Sequence, residues 1–287
     1  MNTPFPANEA VPPASLILLL GVIFCTVSFS EENPVDPEIA IAAGRVSQVI
    51  AHRGASAERP ECTLASVNRA IQVGATAVEV DVRVSKDGQL FILHDRTLDR
   101  TTNGKGPANS LTLAELRQLD AGSHFDEKYR GERIPSLIEV AGICRGKVDL
   151  FLDLKEQGAA YDRKVAEVIR EHGDPAGTLV GPHSLEQARR FRELLPEAKQ
   201  LAIMPAVDDL EAFAGAGADF ILIWSRWLAE GDGAVKRVRA AGAKLHLNQA
   251  TGEWDQTLSL LRHQPDSVGT DDPKKFLETI KKIAEGG

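Results

Sequence analysis

The feature that most constrains the fold is a regular alternation of strand-like and helix-like stretches along the body of the chain. Apolar runs of strand length predict strands at 48–51, 77–84, 148–154, 179–181, 201–204, 220–224, 244–247 and 267–270. Patterns of helical period between them predict helices at 63–73, 162–172, 185–194, 208–216, 233–241, 253–263 and 273–284. Roughly eight such units predict an α/β fold of the TIM-type (β/α)8 barrel class. A doubly wound open sheet is the main alternative, but no Gly-rich nucleotide turn follows the first strand.

The second unit departs from this pattern. An extended stretch at 90–93 follows its strand, and residues 95–135 then precede the next helix-like run. A segment of that length in a compact domain is usually functional or forms a small subdomain. We therefore expect an insertion at about 95–135, within a barrel domain at 46–287.

The N-terminal segment, 1–30, differs in composition from the rest of the chain. Residues 14–30 carry no charge, and 16–20 read Leu-Ile-Leu-Leu-Leu. This length suits a signal-peptide core with cleavage before Glu31, although no Lys or Arg precedes Ala14. We expect a secreted or periplasmic protein; the alternative is an uncleaved anchor that would keep the protein near a membrane. An acidic, Pro-containing linker is expected at 31–45.

Charge and cysteine content exclude some functions. A net charge of −8 over 287 residues argues against nucleic acid as a partner, because that binding requires clustered Lys and Arg. A small phosphate-bearing substrate remains compatible with this charge, since a pocket can be locally positive. Of the three cysteines, Cys25 lies in the apolar segment, and Cys62 and Cys144 have no metal-binding spacing. We expect these two to be free thiols.

Acidic side chains converge on one end of the predicted barrel. Glu79 and Asp81 are two residues apart on the second strand, so they share a face, opposite a face made of valines. Asp153 has a comparable place on a later strand. Because buried carboxylates destabilise one another, a divalent cation among them is expected. Ligands that are all oxygen favour Mg²⁺ or Ca²⁺ over zinc.

Two histidines stand out by position. His52 and His94 each end a strand-like stretch and are followed by a charged residue, Arg53 and Asp95. In a barrel, strand ends of this kind carry the active site. The remaining histidines are expected to be structural: His124, His172, His183, His246 and His263.

Short motifs reinforce this interpretation. In chain order they are His52–Arg53–Gly54, Arg59–Pro60–Glu61–Cys62–Thr63, Glu79–Val80–Asp81, and the stretches 94–104, 116–122, 134–137 and 270–273. With these motifs the chain resembles the glycerophosphodiester phosphodiesterase family from about residue 49 to residue 276. The family is a TIM barrel with an insertion after its second strand.

The resemblance implies a role for each matching residue. It implies that His52 and His94 are the acid–base pair and that Arg53 and Lys155 hold the substrate phosphate. Glu61 would support the first site loop. The metal ligands that it implies are Glu79, Asp81 and Asp153.

Three positions depart from the family pattern. Cys62 stands where the family has Asn, so a hydrogen bond on the first loop is expected to be lost. Asp153 stands where Glu is usual and is one methylene shorter. Near the seventh strand, 248–251 reads Asn-Gln-Ala-Thr in place of a Trp-Thr-Val-Asn run, so an aromatic contact to the substrate is expected to be missing.

The implied reaction is metal-dependent hydrolysis of a glycerophosphodiester to glycerol 3-phosphate and an alcohol. We expect His94 to be the acid and His52 the base. The nucleophile is left open between water and a neighbouring hydroxyl of the substrate's glycerol. Two other functions stay open: a phospholipase-D-like enzyme acting on lysophospholipids, and a non-catalytic barrel that binds phosphodiesters.

Overall fold

The structure is a computed structural model that describes Met1 and residues 35–229 and 231–286. Its strands are β1 Gln48–Ala51, β2 Ala77–Val84, β3 Leu90–Ile92, β4 Asp149–Leu154, β5 Thr178–Gly181, β6 Lys199–Ala202, β7 Phe220–Ile223, β8 Lys244–Ala250 and β9 Ser267–Thr270. The sheet order is β1-β9-β8-β7-β6-β5-β4-β2-β3, and β1 also pairs with β2. Apart from β3, which pairs antiparallel with β2, neighbouring strands are parallel. Eight parallel strands therefore close into a barrel, which confirms the predicted fold.

The helices lie between the strands. They are α1 Pro37–Arg45, α2 Leu64–Gln72, α3 Leu113–Leu116, α4 Leu137–Cys144, α5 Ala159–His172, α6 Leu185–Leu194, α7 Leu210–Gly215, α8 Ser225–Leu228, α9 Gly233–Ala240, α10 Trp254–Leu261 and α11 Pro273–Ala284. Most predicted elements are confirmed to within a few residues. Strand β6 begins two residues before the predicted 201–204, and β8 ends three residues beyond the predicted 244–247.

Strand β2 shows how the sequence alternation becomes two environments. Val78, Val80 and Val82 point outward and pack against the helices, whereas Glu79 and Asp81 fall on the inner face. Both faces are buried, as expected for a barrel strand covered by helices. The barrel interior is filled by apolar side chains: Ile50, Ala77, Phe151, Leu179, Leu201, Ile203, Phe220 and Leu222.

The insertion forms a small subdomain with its own apolar core. Strand β3 leads into it, α3 lies within it, and short 3-10 turns at Ala108–Ser110 and Glu127–Tyr129 complete it. The side chains of its core are buried: Phe91, Leu93, Leu98, Ala108, Leu116, Ala121 and Ile134. The insertion therefore has a fixed shape, and it holds His94 at its start.

The prediction of a linker at 31–45 is wrong for residues 37–45. Residues Pro37–Arg45 form α1, which is capped by Asp36 and begins with proline. Ile39, Ala42 and Ala43 recur at helical spacing and are buried against the barrel helices. Within the described part of the chain, no helix is long and apolar enough to cross a membrane. The predicted N-terminal signal or anchor lies outside the described residues.

Candidate active site

The candidate site is a cavity of about 180 Å³ at the carboxyl ends of the barrel strands. Its lining unites residues from β1, β2, β4, β6, β7 and β8 with the start of the insertion: His52, Arg53, Glu79, His94, Phe151, Asp153, Lys155, Leu201, Ile203, Leu222, Trp224, His246, Asn248 and Gln249. Most of the candidates named from the sequence therefore meet in one place. Asp81 and Glu61 lie directly behind this lining, in contact with Arg53.

The first strand presents His52 on a tight loop. The loop turns at Gly54, whose φ is +81° and where a Cβ atom would lie 2.4 Å from Ser66 Oγ, so only glycine fits. His52 Nδ1 lies 2.7 Å from Asp271 Oδ1, an oxygen that also accepts from Ser56 Oγ. Burial lowers the pKa of His52, but the hydrogen bond to Asp271 and the charge of Glu79 outweigh it and raise the pKa above 6.5.

The carboxylates of Glu79, Asp81 and Asp153 form a cluster, in which one oxygen from each lies within 4.8 Å of the others. Glu79 and Asp81 are almost fully buried. Burial, followed by the charges of Asp81 and Asp153, raises the pKa of Glu79 to about 8. Asp81 Oδ1 is buried and receives no well-aligned hydrogen bond from the described residues. A cluster of buried carboxylate oxygens, one of which lacks a well-aligned hydrogen bond, is a ligand set that fits a hard divalent cation.

Two cations lie against this cluster. Lys155 Nζ is 2.5 Å from Asp153 Oδ2 and 2.9 Å from Asp81 Oδ1. Arg53 donates its backbone N–H to Glu79 Oε2 at 2.7 Å, and its Nε lies 3.7 Å from Asp81 Oδ2. Both cationic side chains also line the cavity, where an anionic substrate group would meet them.

Arg100 joins the two histidine-bearing loops. Its guanidinium donates to both oxygens of Glu61 at 2.7 and 2.8 Å, and to both oxygens of Asp95 at 2.7 and 3.0 Å. Glu61 also accepts from Arg53 Nη1 at 3.0 Å. Asp95 Oδ1 in turn lies 2.7 Å from His94 Nδ1. The insertion is therefore tied to the first loop by a continuous chain of charge-assisted hydrogen bonds.

Several residues of the site were not identified from the sequence. His183, expected to be structural, places Nε2 at 2.6 Å from Asp153 Oδ1. Burial would raise the pKa of Asp153, but this bond and the charge of Lys155 hold it below its ordinary value. His246 lines the cavity, and burial together with the charge of His52 lowers its pKa to about 3. The available signal was the place of His246 in the predicted strand at 244–247, between two leucines.

The departures from the family pattern are also partly compensated. Cys62 Sγ donates to Asp81 Oδ2 at 3.3 Å, so the first loop keeps a hydrogen bond, although a thiol is a weaker donor than an amide. In the described residues Cys62 and Cys144 are free and buried, as expected. Asn248 lines the cavity, and Trp224, at the end of the neighbouring strand β7, lines it as well. An aromatic ring therefore lines the cavity from β7, although position 248 carries none.

Comparison with known proteins agrees with this geometry. The model of the glycerophosphoryl diester phosphodiesterase family matches residues 52–275. The chain belongs to this family. A glycerophosphodiester phosphodiesterase of Bacillus subtilis is 31% identical over 84% of this chain and 88% of its own length. One from Caldanaerobacter subterraneus is 39% identical over 53% of this chain, and the match spans only 64% of that protein.

Solved structures of the family have the same fold. A phosphodiesterase of Oleispira antarctica, solved in complex with its product sn-glycerol-3-phosphate, superposes with a TM-score of 0.71 and 31% identity over 84% of this chain and 99% of that one. A glycerophosphodiester phosphodiesterase of Agrobacterium tumefaciens gives a TM-score of 0.70 and 29% identity over 81% and 99%. The barrel fold is thus that of the family.

Proposed function

We propose that this protein hydrolyses glycerophosphodiesters to glycerol 3-phosphate and an alcohol. The observation that carries the proposal is that two histidines, two cationic side chains and two carboxylates line one cavity, with the third carboxylate of the cluster, Asp81, directly behind them. A phosphodiester is anionic, and its hydrolysis adds negative charge to the phosphate oxygens and to the departing alcohol. Arg53 and Lys155 are placed to stabilise that charge.

We further propose that Glu79, Asp81 and Asp153 hold one divalent cation, Mg²⁺ or Ca²⁺. When bound, such an ion supplies electrostatic stabilisation of the phosphate and neutralises the mutual repulsion of the three carboxylates. Lys155, whose ammonium now bridges Asp81 and Asp153, would then be free to contact the substrate phosphate.

The two histidines would carry out the proton transfers of the reaction. Each uses Nδ1 to bind a carboxylate, Asp271 for His52 and Asp95 for His94, which leaves Nε2 for the substrate. The raised pKa of His52 makes it a stronger base, so His52 accepts the proton of the nucleophile. His94 donates a proton to the departing alcohol. The nucleophile is either water or a neighbouring hydroxyl of the glycerol.

An apolar wall supports a second candidate substrate class. Leu201, Ile203, Leu222 and Trp224 line the side of the cavity away from the carboxylates. Such a wall would accept part of an acyl chain, so a phospholipase-D-like reaction on lysophospholipids is the alternative. A non-catalytic binding protein would have no need of two carboxylate-paired histidines.

One assay separates these functions. The purified protein is given glycerophosphocholine or lysophosphatidylcholine, each with and without EDTA, and released choline and glycerol 3-phosphate are measured. Release of both products from glycerophosphocholine, abolished by EDTA and restored by Mg²⁺ or Ca²⁺, is expected. Full turnover by metal-free protein would contradict the ligand assignment, and faster turnover of the lysophospholipid would favour the alternative. Binding without any turnover would show a binding protein.

The composition of residues 1–30 also leads us to propose a secreted or periplasmic location, or else attachment to a membrane through that segment. Fractionation of cells that express the full chain tests this. Mature protein that begins near residue 31 in the extracytoplasmic fraction would support secretion, and full-length protein in the membrane fraction would support an anchor.

A further inference from the structure

The imidazole of His183 is the titratable group closest to the carboxylate cluster that the proposed reaction does not use. Strand β5 pairs with β4 so that Gly181 lies opposite Asp153. His183 follows two residues later, and because side chains alternate along a strand it falls on the same inner side of the barrel rim. Its Nε2 lies 2.6 Å from Asp153 Oδ1.

From this contact we propose that His183 is a positioning residue that holds Asp153 in place for the divalent cation; the inference rests on the proposed metal site. Asp153 Oδ1 is bound by His183 and Oδ2 by Lys155. When Lys155 turns to the substrate phosphate, His183 is the partner that keeps the Asp153 carboxylate oriented. An aspartate has a short stem, so its orientation depends on such a neighbour.

The backbone of His183 is itself fixed from below. Its N–H donates to Gln187 Oε1 at 3.1 Å. Gln187 is fully buried, and its Nε2 donates to Asp162 Oδ1 at 2.8 Å and to the carbonyl of Glu156 at 3.0 Å. Because this buried amide donates to a carboxylate and accepts from the His183 N–H, it fixes the position of the His183 backbone at the barrel rim. This support is what a group that orients a metal ligand requires.

The experiment measures metal binding and does not rely on turnover. Isothermal titration of the purified protein with Mg²⁺, and separately with Ca²⁺, gives the affinity of the wild type and of three variants. His183→Phe keeps the ring volume and removes the donor. His183→Gln keeps an N–H donor at a similar reach. His172→Phe, at a half-buried site at the end of α5, is the matched control.

Removal of an outer partner of a metal ligand typically costs 10- to 100-fold in metal affinity, so we expect a loss of that size for His183→Phe. His183→Gln should recover most of it, and His172→Phe should bind like the wild type. A role in packing alone would instead lower both His183 variants alike, or leave the affinity unchanged, and either result would overturn the proposal. If the wild type bound neither ion, the metal site itself, and with it this role, would be overturned. Circular dichroism of each variant confirms that a loss of affinity is not a loss of fold.

Discussion

The two sides of the barrel mouth are built from different chemistry. On the side formed by β1, β2, β4 and the insertion, nearly every side chain in the cavity is ionisable and makes a charge-assisted hydrogen bond. On the side formed by β6 and β7, the lining is Leu201, Ile203, Leu222 and Trp224. Both sides are built on parallel barrel strands, so apart from His94, which the insertion carries, the difference lies in which residues the inner face carries.

This difference between the two sides assigns catalysis to the ionic side and substrate recognition to the apolar side. The ionic side can bind a phosphate, hold a cation and move protons, whereas the apolar side has no group able to do so. Its apolar surface can contact the alcohol or the acyl part of a substrate and exclude water from the phosphate. Changes on the ionic side should therefore alter the catalytic rate, and changes on the apolar side should alter substrate affinity.

The largest effect is expected from the histidines. His52→Ala and His94→Ala should each lower kcat by roughly 10²- to 10⁴-fold, because each removes a proton transfer. Steady-state kinetics on glycerophosphocholine measures this. His172→Ala, half-buried at the end of α5 and outside the cavity, is the control and should leave kcat unchanged. Near-normal turnover by either site variant, with an unchanged circular-dichroism spectrum, would reassign that histidine as structural.

A smaller loss is expected when the link between the two loops is cut. Arg100→Met removes four charge-assisted hydrogen bonds to Glu61 and Asp95 and frees the carboxylate that orients His94. Hydrogen bonds to charged groups are worth about 1.5–3 kcal/mol, so kcat should fall roughly 10- to 100-fold. Arg96→Met, exposed in the same insertion, is the matched control. Equal kcat values for the two variants would mean that the network is not needed to orient His94.

The apolar side should affect affinity. Trp224→Ala should raise KM for glycerophosphocholine by about 2- to 30-fold, the range that corresponds to roughly 0.5–2 kcal/mol for a cation stacked on an aromatic ring. The increase for glycerophosphoglycerol should be smaller, and kcat should be nearly unchanged for both. Trp254→Ala, at an exposed ring on α10, is the control. A collapse in kcat with Trp224→Ala would break the division between the two sides.

The smallest expected effect concerns stability at low pH. The ionic side of the barrel mouth should be less stable there than the apolar side. Glu139 caps α4 and pairs with Arg117 in the insertion. Burial alone would raise the pKa of Glu139, but the hydrogen bonds from Arg117 and Ser136 lower it to about 2. Because the pKa of Glu139 in the folded protein is below its value of about 4.3 in the unfolded chain, the ionised carboxylate stabilises the fold above that pH. This stabilisation is lost as the pH falls toward 2. The contribution is on the order of 1 kcal/mol after solvent screening.

Glu139→Gln should therefore reduce stability at pH 7 and flatten its dependence between about pH 4 and pH 2. Urea unfolding at several pH values measures this. Hydrogen exchange at low pH should show loss of protection in the insertion before loss in β6 and β7. The opposite order of exchange would contradict the comparison.

The sequence by itself determined the barrel and most of the ionic side. Period-2 alternation in β2 separates valines from Glu79 and Asp81, and in a barrel covered by helices this fixes which face reaches the cavity. Position at a strand end identified His52, because the carboxyl ends of the parallel strands meet at one rim. His94 follows β3, which runs antiparallel to β2 and returns the chain to the same cavity. The family motifs supplied the proposed roles of these residues. Their positions were inferred from local sequence patterns.

Only the tertiary structure decided which distant residues meet. Asp271 lies 219 residues from His52, and His183 lies 30 residues from Asp153, yet each pair is joined by a hydrogen bond. Trp224, at the end of β7, brings an aromatic ring to the cavity, whereas position 248 on β8 carries none. Closure of the barrel brings such residues together across its rim, and strand register fixes each distance. Local periodicity carries no information about register between strands, so these partners were found only in the folded chain.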